Sequence, residues 1–243
     1  MKQKTIEKST SLSGIGLHTG IEAEITLNPA PENHGIKFKR IDLVGEPIVE
    51  ADVNYVISTN RSTTLRNRDA QVSTVEHLLS ACVGMGVDNL MIDISGPEVP
   101  IIDGSGRFFV QAIEEAGIIE QDADKLVFEV EETISFKDSD TGSEMVALAA
   151  DSYQITSMID FDSPILNKQY AKLHDLSQYK SEIAPARTFV FVRELEKLID
   201  QNLIKGGDLE NAVVIADEPM ETEDLARLAK KLNKPTMEIE SEG

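Results

Sequence analysis

Twice along this chain a stretch of period-two alternation gives way to stripes of period 3.6. This doubled order of strands followed by helices constrains the fold more than any single residue does. In the first passage Ile21, Ala23, Ile25 and Leu27 alternate with Glu22, Glu24 and Thr26, the pattern of a half-buried antiparallel strand. Pro29 and Pro31 break it, and Gly35, Ile36, Phe38 and Ile41 resume an extended pattern through Glu50 and Val53. A helix is predicted over 73–85, a strand over 89–94, a Gly/Pro-rich loop over 95–106 and a helix over 108–116. After a polar break at 121–124, Leu126, Phe128 and Val130 open a fresh alternation that runs through Ile134, Val146 and Leu148 to Ile155 and Met158. A helix over 189–202, a glycine pair, a strand over 212–216 and a helix over 223–233 capped by Thr222 complete the second passage. The expectation is an α+β protein of two similar sheet-plus-helices domains, residues 1–122 and 123–243, with helices sandwiched between two sheets.

The 243 residues, 41% of them hydrophobic, suffice for two small cores. Lys and Arg number 23 against 43 Asp and Glu, a formal charge of -20, which repels polyanions and argues against nucleic acid as a partner. An anionic substrate then needs local Arg, Lys, backbone N–H groups or a metal to offset that field. The lone cysteine, Cys82, excludes an intramolecular disulfide and fits a reducing compartment. Residues 1–13 lack an apolar signal core, and no run is long enough to span a bilayer, so a cytoplasmic location is expected.

The helix predicted over 73–85 has two faces. At about 100° per residue, Val75, Leu78, Leu79, Cys82 and Val83 share a core stripe. His77 lies opposite, among Ser73, Ser80, Ala81 and Gly84. Small residues instead of Lys and Glu on that side admit close approach of another element or a pocket. Glu76 and His77 suit a zinc site in type: imidazole is the commonest metal ligand, and a carboxylate beside the metal can take a proton from bound water. On pattern alone, Ser73-Thr74-Val75-Glu76 reads first as a capping box, and one histidine makes no site.

The stretches Gly14-Ile15-Gly16-Leu17-His18-Thr19-Gly20, Ser73-Thr74-Val75-Glu76-His77-Leu78-Leu79-Ser80-Ala81, Pro100-Ile101-Ile102-Asp103-Gly104-Ser105 and Ala186-Arg187-Thr188-Phe189 resemble, in order and spacing, those of the UDP-3-O-acyl-N-acetylglucosamine deacetylases of lipid A synthesis. Ile204-Lys205-Gly206-Gly207-Asp208-Leu209 is most similar to the form fused to a hydroxyacyl-carrier-protein dehydratase, so a fused or associated dehydratase is an implied partner. The resemblance implies a zinc-dependent hydrolase acting on a UDP-linked acylated amino sugar and yielding acetate and a free amine. His77 is implied as a zinc ligand, Glu76 as the general base, and Thr188 as the hydroxyl that stabilises the tetrahedral oxyanion. Phe189, Phe191 and Lys205 are implied near the substrate.

Several of these residues also have plainer readings. Gly14, Gly16 and Gly20 supply positive-φ turns, with His18 filling space. Asp103-Gly104-Ser105 is a turn before a helix, although the resemblance places it close to the metal. Gly206 and Gly207 read as a helix C-cap, with Lys205 at the end of that helix. Arg61 and Arg187 meet either a diphosphate or a surface carboxylate, and His34 and His174 are exposed.

In the family, a later helix bearing a histidine and, four residues on, an aspartate completes the metal site. No such segment occurs through Glu238-Ile239-Glu240-Ser241-Glu242-Gly243. Only one of three expected zinc ligands is therefore present. The second domain is expected to be incomplete and the 243-residue chain to be inactive alone. The alternative is an inactive fragment or a metal-free acyl- or nucleotide-binding module of the same fold.

Overall fold

The computed structural model describes residues 1–218 and 222–231. The first passage forms β1 (Lys2–Ile6), β2 (Thr10–Ile15), β3 (Glu22–Pro29), β4 (Ile36–Arg40), β5 (Ile48–Glu50), β6 (Val56–Ser58), β7 (Thr64–Asn67), β8 (Ala70–Val72), α1 (Glu76–Gly84), β9 (Leu90–Ile94), α2 (Arg107–Ala116) and β10 (Ile118–Asp124). The second forms β11 (Ile134–Lys137), β12 (Glu144–Ala147), β13 (Ile155–Asp160), β14 (Lys168–Leu173), β15 (Phe189–Phe191), α3 (Val192–Asp200), β16 (Val213–Ile215) and α4 (Thr222–Lys231). The chain is thus of mixed α+β type.

A five-stranded sheet in the order β2-β3-β9-β4-β5 is the platform of the first half. Only β4 and β9 run parallel within it. As the alternation requires, Ala23, Ile25 and Leu27 are buried on one face of β3 while Glu22 and Glu24 face solvent. Phe38, Ile92 and Ile94 join them, and Leu78, Cys82, Phe109 and Ile113 of α1 and α2 close the layer. Burying each such side chain contributes roughly 1.5–3 kcal/mol. The buried stripe on α1 is shifted from the predicted one: Ala81, placed on the small face by the sequence, is buried, and Val83 is 50% exposed.

Two strand assignments near the middle of the chain differ from the sequence reading. The polar break at 121–124 is strand: β10 runs through it and pairs antiparallel with β1. Its Gln121 side chain completes a buried network. The Asn89 amide donates to Gln3 Oε1 at 2.8 Å and to Gln121 Oε1 at 2.7 Å, and Gln121 donates to the Ala30 carbonyl at 3.0 Å. Buried polar groups that satisfy one another are compatible with a strand interior, so polarity here marked a network and not a break between elements. Conversely Leu126 to Val130 forms no strand, and Leu126 and Phe128 are 96% and 83% exposed. Alternation produces a strand only beside an edge that can pair with it, and the described residues offer none there.

Beyond this point the strands form two-stranded units: the hairpins β11-β12 and β13-β14, and the parallel pair β15-β16. Phe189 to Phe191, read as the start of a helix, is strand; α3 begins only at Val192. A second apolar cluster gathers Val192, Leu195 and Leu228 with Val190, Ile199 and Val214, so α3 and α4 cover β15-β16. The cap assigned to Thr222 and the helix end at Asn233 lie outside the described side chains and residues. No helix among the described residues is long and apolar enough to cross a membrane.

Candidate functional site

Glu76 and His77 occupy the first turn of α1. The predicted capping box does not form: Val75 holds the cap position without a side-chain bond, Ser73 Oγ donates to the Pro97 carbonyl at 3.2 Å, and Glu76 Oε2 accepts the Thr63 N–H at 3.0 Å. The helix starts late because Thr74 sits at φ 56°, a left-handed conformation that ends any helical run through it. Freed from capping, the Glu76 carboxylate stays at the helix edge beside His77. Burial holds the His77 imidazole below its ordinary pKa, opposed by the negative charges of Glu76 and Asp103. A largely neutral imidazole is the form that can donate a lone pair to a metal.

What holds Thr74 in that conformation is Glu98, which the sequence reading did not single out. Its carboxylate, in a residue only 1% exposed, accepts from the Thr74 hydroxyl (2.7 Å), the His18 N–H (3.0 and 3.2 Å), and the Thr19 N–H and hydroxyl (2.8 and 2.7 Å). The anion thereby ties the 14–20 turn to the entry of α1. Its one sequence signal is a lone charge inside Gly96-Pro97-Glu98-Val99-Pro100-Ile101-Ile102, where neighbours so apolar imply burial with partners. The glycines follow from the same contact. Gly20 alone of Gly14, Gly16 and Gly20 has positive φ, at 68°. Gly16 is needed for space: a Cβ there would lie 2.5 Å from Glu98 Oε2.

His18 is buried, as expected of a space-filling residue. Its Nε2 lies 3.3 Å from the Arg61 carbonyl oxygen, so that nitrogen carries the proton, and the buried Nδ1 has no hydrogen-bond partner among the described residues. Of the remaining histidines, His174 is exposed and His34 partly so.

The small face of α1 does receive another element. The Tyr179 hydroxyl is 2.8 Å from Ser80 Oγ, and its ring occupies the space that a Cβ on Gly84 would need. The second half docks nearby along the Asp103-Gly104-Ser105 loop. Thr188 N–H donates to the Gly104 carbonyl at 2.8 Å, and a Cβ on Gly104 would fall 3.1 Å from Thr188 Cγ2. Through this loop Thr188 and Asp103, whose charge is felt at His77, are neighbours. The Arg187 guanidinium donates to the backbone carbonyls of Asp103, Leu209 and Glu210, a staple between the halves, and pairs with no carboxylate among the described residues.

Phe189 and Phe191 pack edge to face with Phe161, at centroid distances of 5.2 and 6.2 Å. Phe161 was missed in the sequence, since an isolated aromatic in Asp160-Phe161-Asp162 carries no period. Gly206 and Gly207 do not cap a helix, because α3 ends at Asp200. They form a turn whose Gly206 N–H donates to the Leu17 carbonyl at 3.0 Å and whose Lys205 N–H faces the His18 carbonyl at 3.4 Å. The exposed Lys205 therefore stands at the 14–20 turn and not at a helix end. Arg61 pairs with Glu194 of α3, the surface-carboxylate alternative.

The described residues match a zinc site in kind but not in number. His77 is a suitable ligand, yet no group of three His, Cys, Asp or Glu residues is placed to hold a metal among them, and a catalytic zinc needs three protein ligands.

A mixed α+β protein that sets a carboxylate beside a partly buried imidazole at a helix start, with a nearby glycine loop bonded to the Thr188 N–H, has side chains of the types that hydrolytic sites use. The family model described as UDP-3-O-acyl N-acetylglycosamine deacetylase matches residues 3–232. The chain is 44% identical over 243 residues to the bifunctional enzyme LpxC/FabZ of Bacteroides thetaiotaomicron, covering all of this chain and 53% of that protein. It is 42% identical over 214 residues to the UDP-3-O-acyl-N-acetylglucosamine deacetylase of Myxococcus xanthus, covering 88% of this chain and 68% of that one. The chain belongs to the UDP-3-O-acyl-N-acetylglucosamine deacetylase family. It spans about half the length of the bifunctional relatives it matches.

Proposed function

We propose that this chain contributes the Glu76–His77 part of a site that hydrolyses the N-acetyl group of UDP-3-O-acyl-N-acetylglucosamine in lipid A synthesis, giving acetate and the free amine. The observation that carries this reading is the failure of the capping box: Glu76 is left uncommitted to the helix end, next to an imidazole whose pKa burial lowers. Glu76 is the base that takes a proton from the attacking water, and the Thr188 hydroxyl donates to the oxygen on which charge develops. Phe189 and Phe191, stacked with Phe161, offer apolar faces to the substrate, and Lys205 offers a cation to its phosphates. A zinc ion held in part by His77 would acidify the water and polarise the acetamide carbonyl. Its remaining ligands are not among the described residues. The reading includes a cytoplasmic location and a division into residues 1–122 and 123–243, supported by the second apolar cluster. It also includes a fused or associated dehydratase, supported by relatives named bifunctional enzymes.

The test compares this chain with a form extended at its C-terminus, by metal analysis and by acetate release. Zinc and turnover are expected in the extended form, with Glu76→Gln lowering kcat about 10²- to 10⁴-fold. Full activity of Glu76→Gln would remove the base assignment. The ligand set among the described residues, short of three, goes with one second reading, a metal-free acyl- or nucleotide-binding module. Binding of UDP in the presence of chelator, unaffected by Glu76→Ala and without turnover in either form, would support it.

A further inference from the structure

The turn at residues 59–63, between β6 and β7, is held from both halves of the molecule. From the first half, Ser58 Oγ accepts the Asn60 N–H at 3.2 Å, the Arg61 carbonyl faces His18 Nε2 at 3.3 Å, and the Thr63 N–H donates to Glu76 Oε2 at 3.0 Å. From the second half, Glu194 in the first turn of α3 pairs with the Arg61 guanidinium at 2.5 Å. The other Glu194 oxygen lies 3.5 Å from the Phe191 N–H. This is half of a capping box, since a phenyl ring at the cap cannot accept in return. Arg193 stands over the Phe191 ring at 4.5 Å and pairs with the buried Asp217 at 2.8 Å. Glu194 therefore connects the aromatic cluster to the turn that touches Glu76. Arg61 itself holds φ 61°, a conformation that a non-glycine residue keeps only where its surroundings determine it.

We infer that Arg61 and Glu194 are positioning residues: their ion pair fixes the 59–63 turn and, through the Thr63 N–H, the orientation of the Glu76 carboxylate. The inference rests on the reading of Glu76 as the base. Both side chains are partly exposed, at 42% and 30%, so the pair contributes little to global stability and its removal leaves the fold standing. Its effect is on geometry. A base must lie within hydrogen-bond reach of the proton it takes, and small misplacements cost rate out of proportion to stability.

Two readouts test this. In the 243-residue chain, amide exchange at Thr63 is expected to rise about two- to fivefold in Arg61→Ala and in Glu194→Ala, the range a surface ion pair allows. Arg61→Lys restores protection and exchange in the body of α1 stays unchanged. In the C-terminally extended form, Arg61→Ala is expected to lower kcat about tenfold or more with KM little changed, and Arg61→Lys to recover most of it. Unchanged Thr63 exchange in both alanine variants overturns the positioning role whether or not any form turns over. Faster exchange with unaltered kcat overturns its catalytic consequence. Absence of turnover in every form fails the base assignment and this inference's link to catalysis, while the exchange result separately decides whether the pair fixes the turn.

Discussion

Replacing Glu98 is the sharpest stability test, because the same five contacts that make it a tie also fix what its removal costs. In Glu98→Ala the N–H of His18 and the hydroxyl of Thr74, both buried residues, lose their acceptor, and the N–H and hydroxyl of Thr19 lose theirs in a partly buried setting. Each buried donor left unsatisfied costs about 1–3 kcal/mol. The Thr19 groups can reach water that enters the vacated space, so they count for less. The sum is roughly 3–5 kcal/mol, comparable to breaking a buried charged network. Glu98→Gln should be milder. With its NH2 group at the Oε1 position the Thr74 hydroxyl can rotate to accept, and the His18 N–H keeps Oε2 at 3.2 Å. Only the 3.0 Å approach of the His18 N–H to Oε1 then sets donor against donor, for about 1–2 kcal/mol. Urea unfolding followed by circular dichroism gives both values, and amide exchange in the first turn of α1 should rise in the alanine variant. An alanine variant within about 1 kcal/mol of the parent, or a glutamine variant as damaging as alanine, would refute the assignment of Glu98 as a buried acceptor hub.

Two further predictions concern packing and pH. Gly84→Ala should destabilise by about 1–3 kcal/mol, because the new Cβ would fall 2.1 Å from the Tyr179 ring. Pairing it with Tyr179→Ala should cost less than the two single changes added together, and strict additivity in urea unfolding would argue against the contact. Arg40, nearly buried, grips Asp42 through two bonds of 2.8 and 2.7 Å, and this holds the Asp42 carboxyl below its usual range. A depressed carboxylate pKa contributes stability above the unfolded-state value and loses it as pH falls through the folded one. The stability difference between the parent and Asp42→Asn should therefore be level from neutral pH down to about 4 and shrink below it. A difference that grows on acidification would contradict the sign.

Local pattern was enough for β3, β9 and α2, because period-two or period-3.6 burial is decided by residues adjacent in sequence. It was also enough to mark the second face of α1, where Ser80 and Gly84 meet Tyr179, since small residues admit a neighbour whatever its identity. The residue types at the site, Glu76, His77 and Thr188, were visible as motif members. Their surroundings were not. Whether Glu76 caps a helix depends on Thr74, whose left-handed turn is held by Glu98, 24 residues on. The fate of Arg187 and Arg61 depended on carbonyls and a carboxylate contributed by distant segments. Gln121 read as part of a polar break until Asn89 was placed beside it. Short-range periodicity determines elements from the sequence by itself. Partners of polar and charged groups are chosen by long-range approach, and that choice, made only in the tertiary structure, released Glu76 from the helix cap that its local pattern predicts.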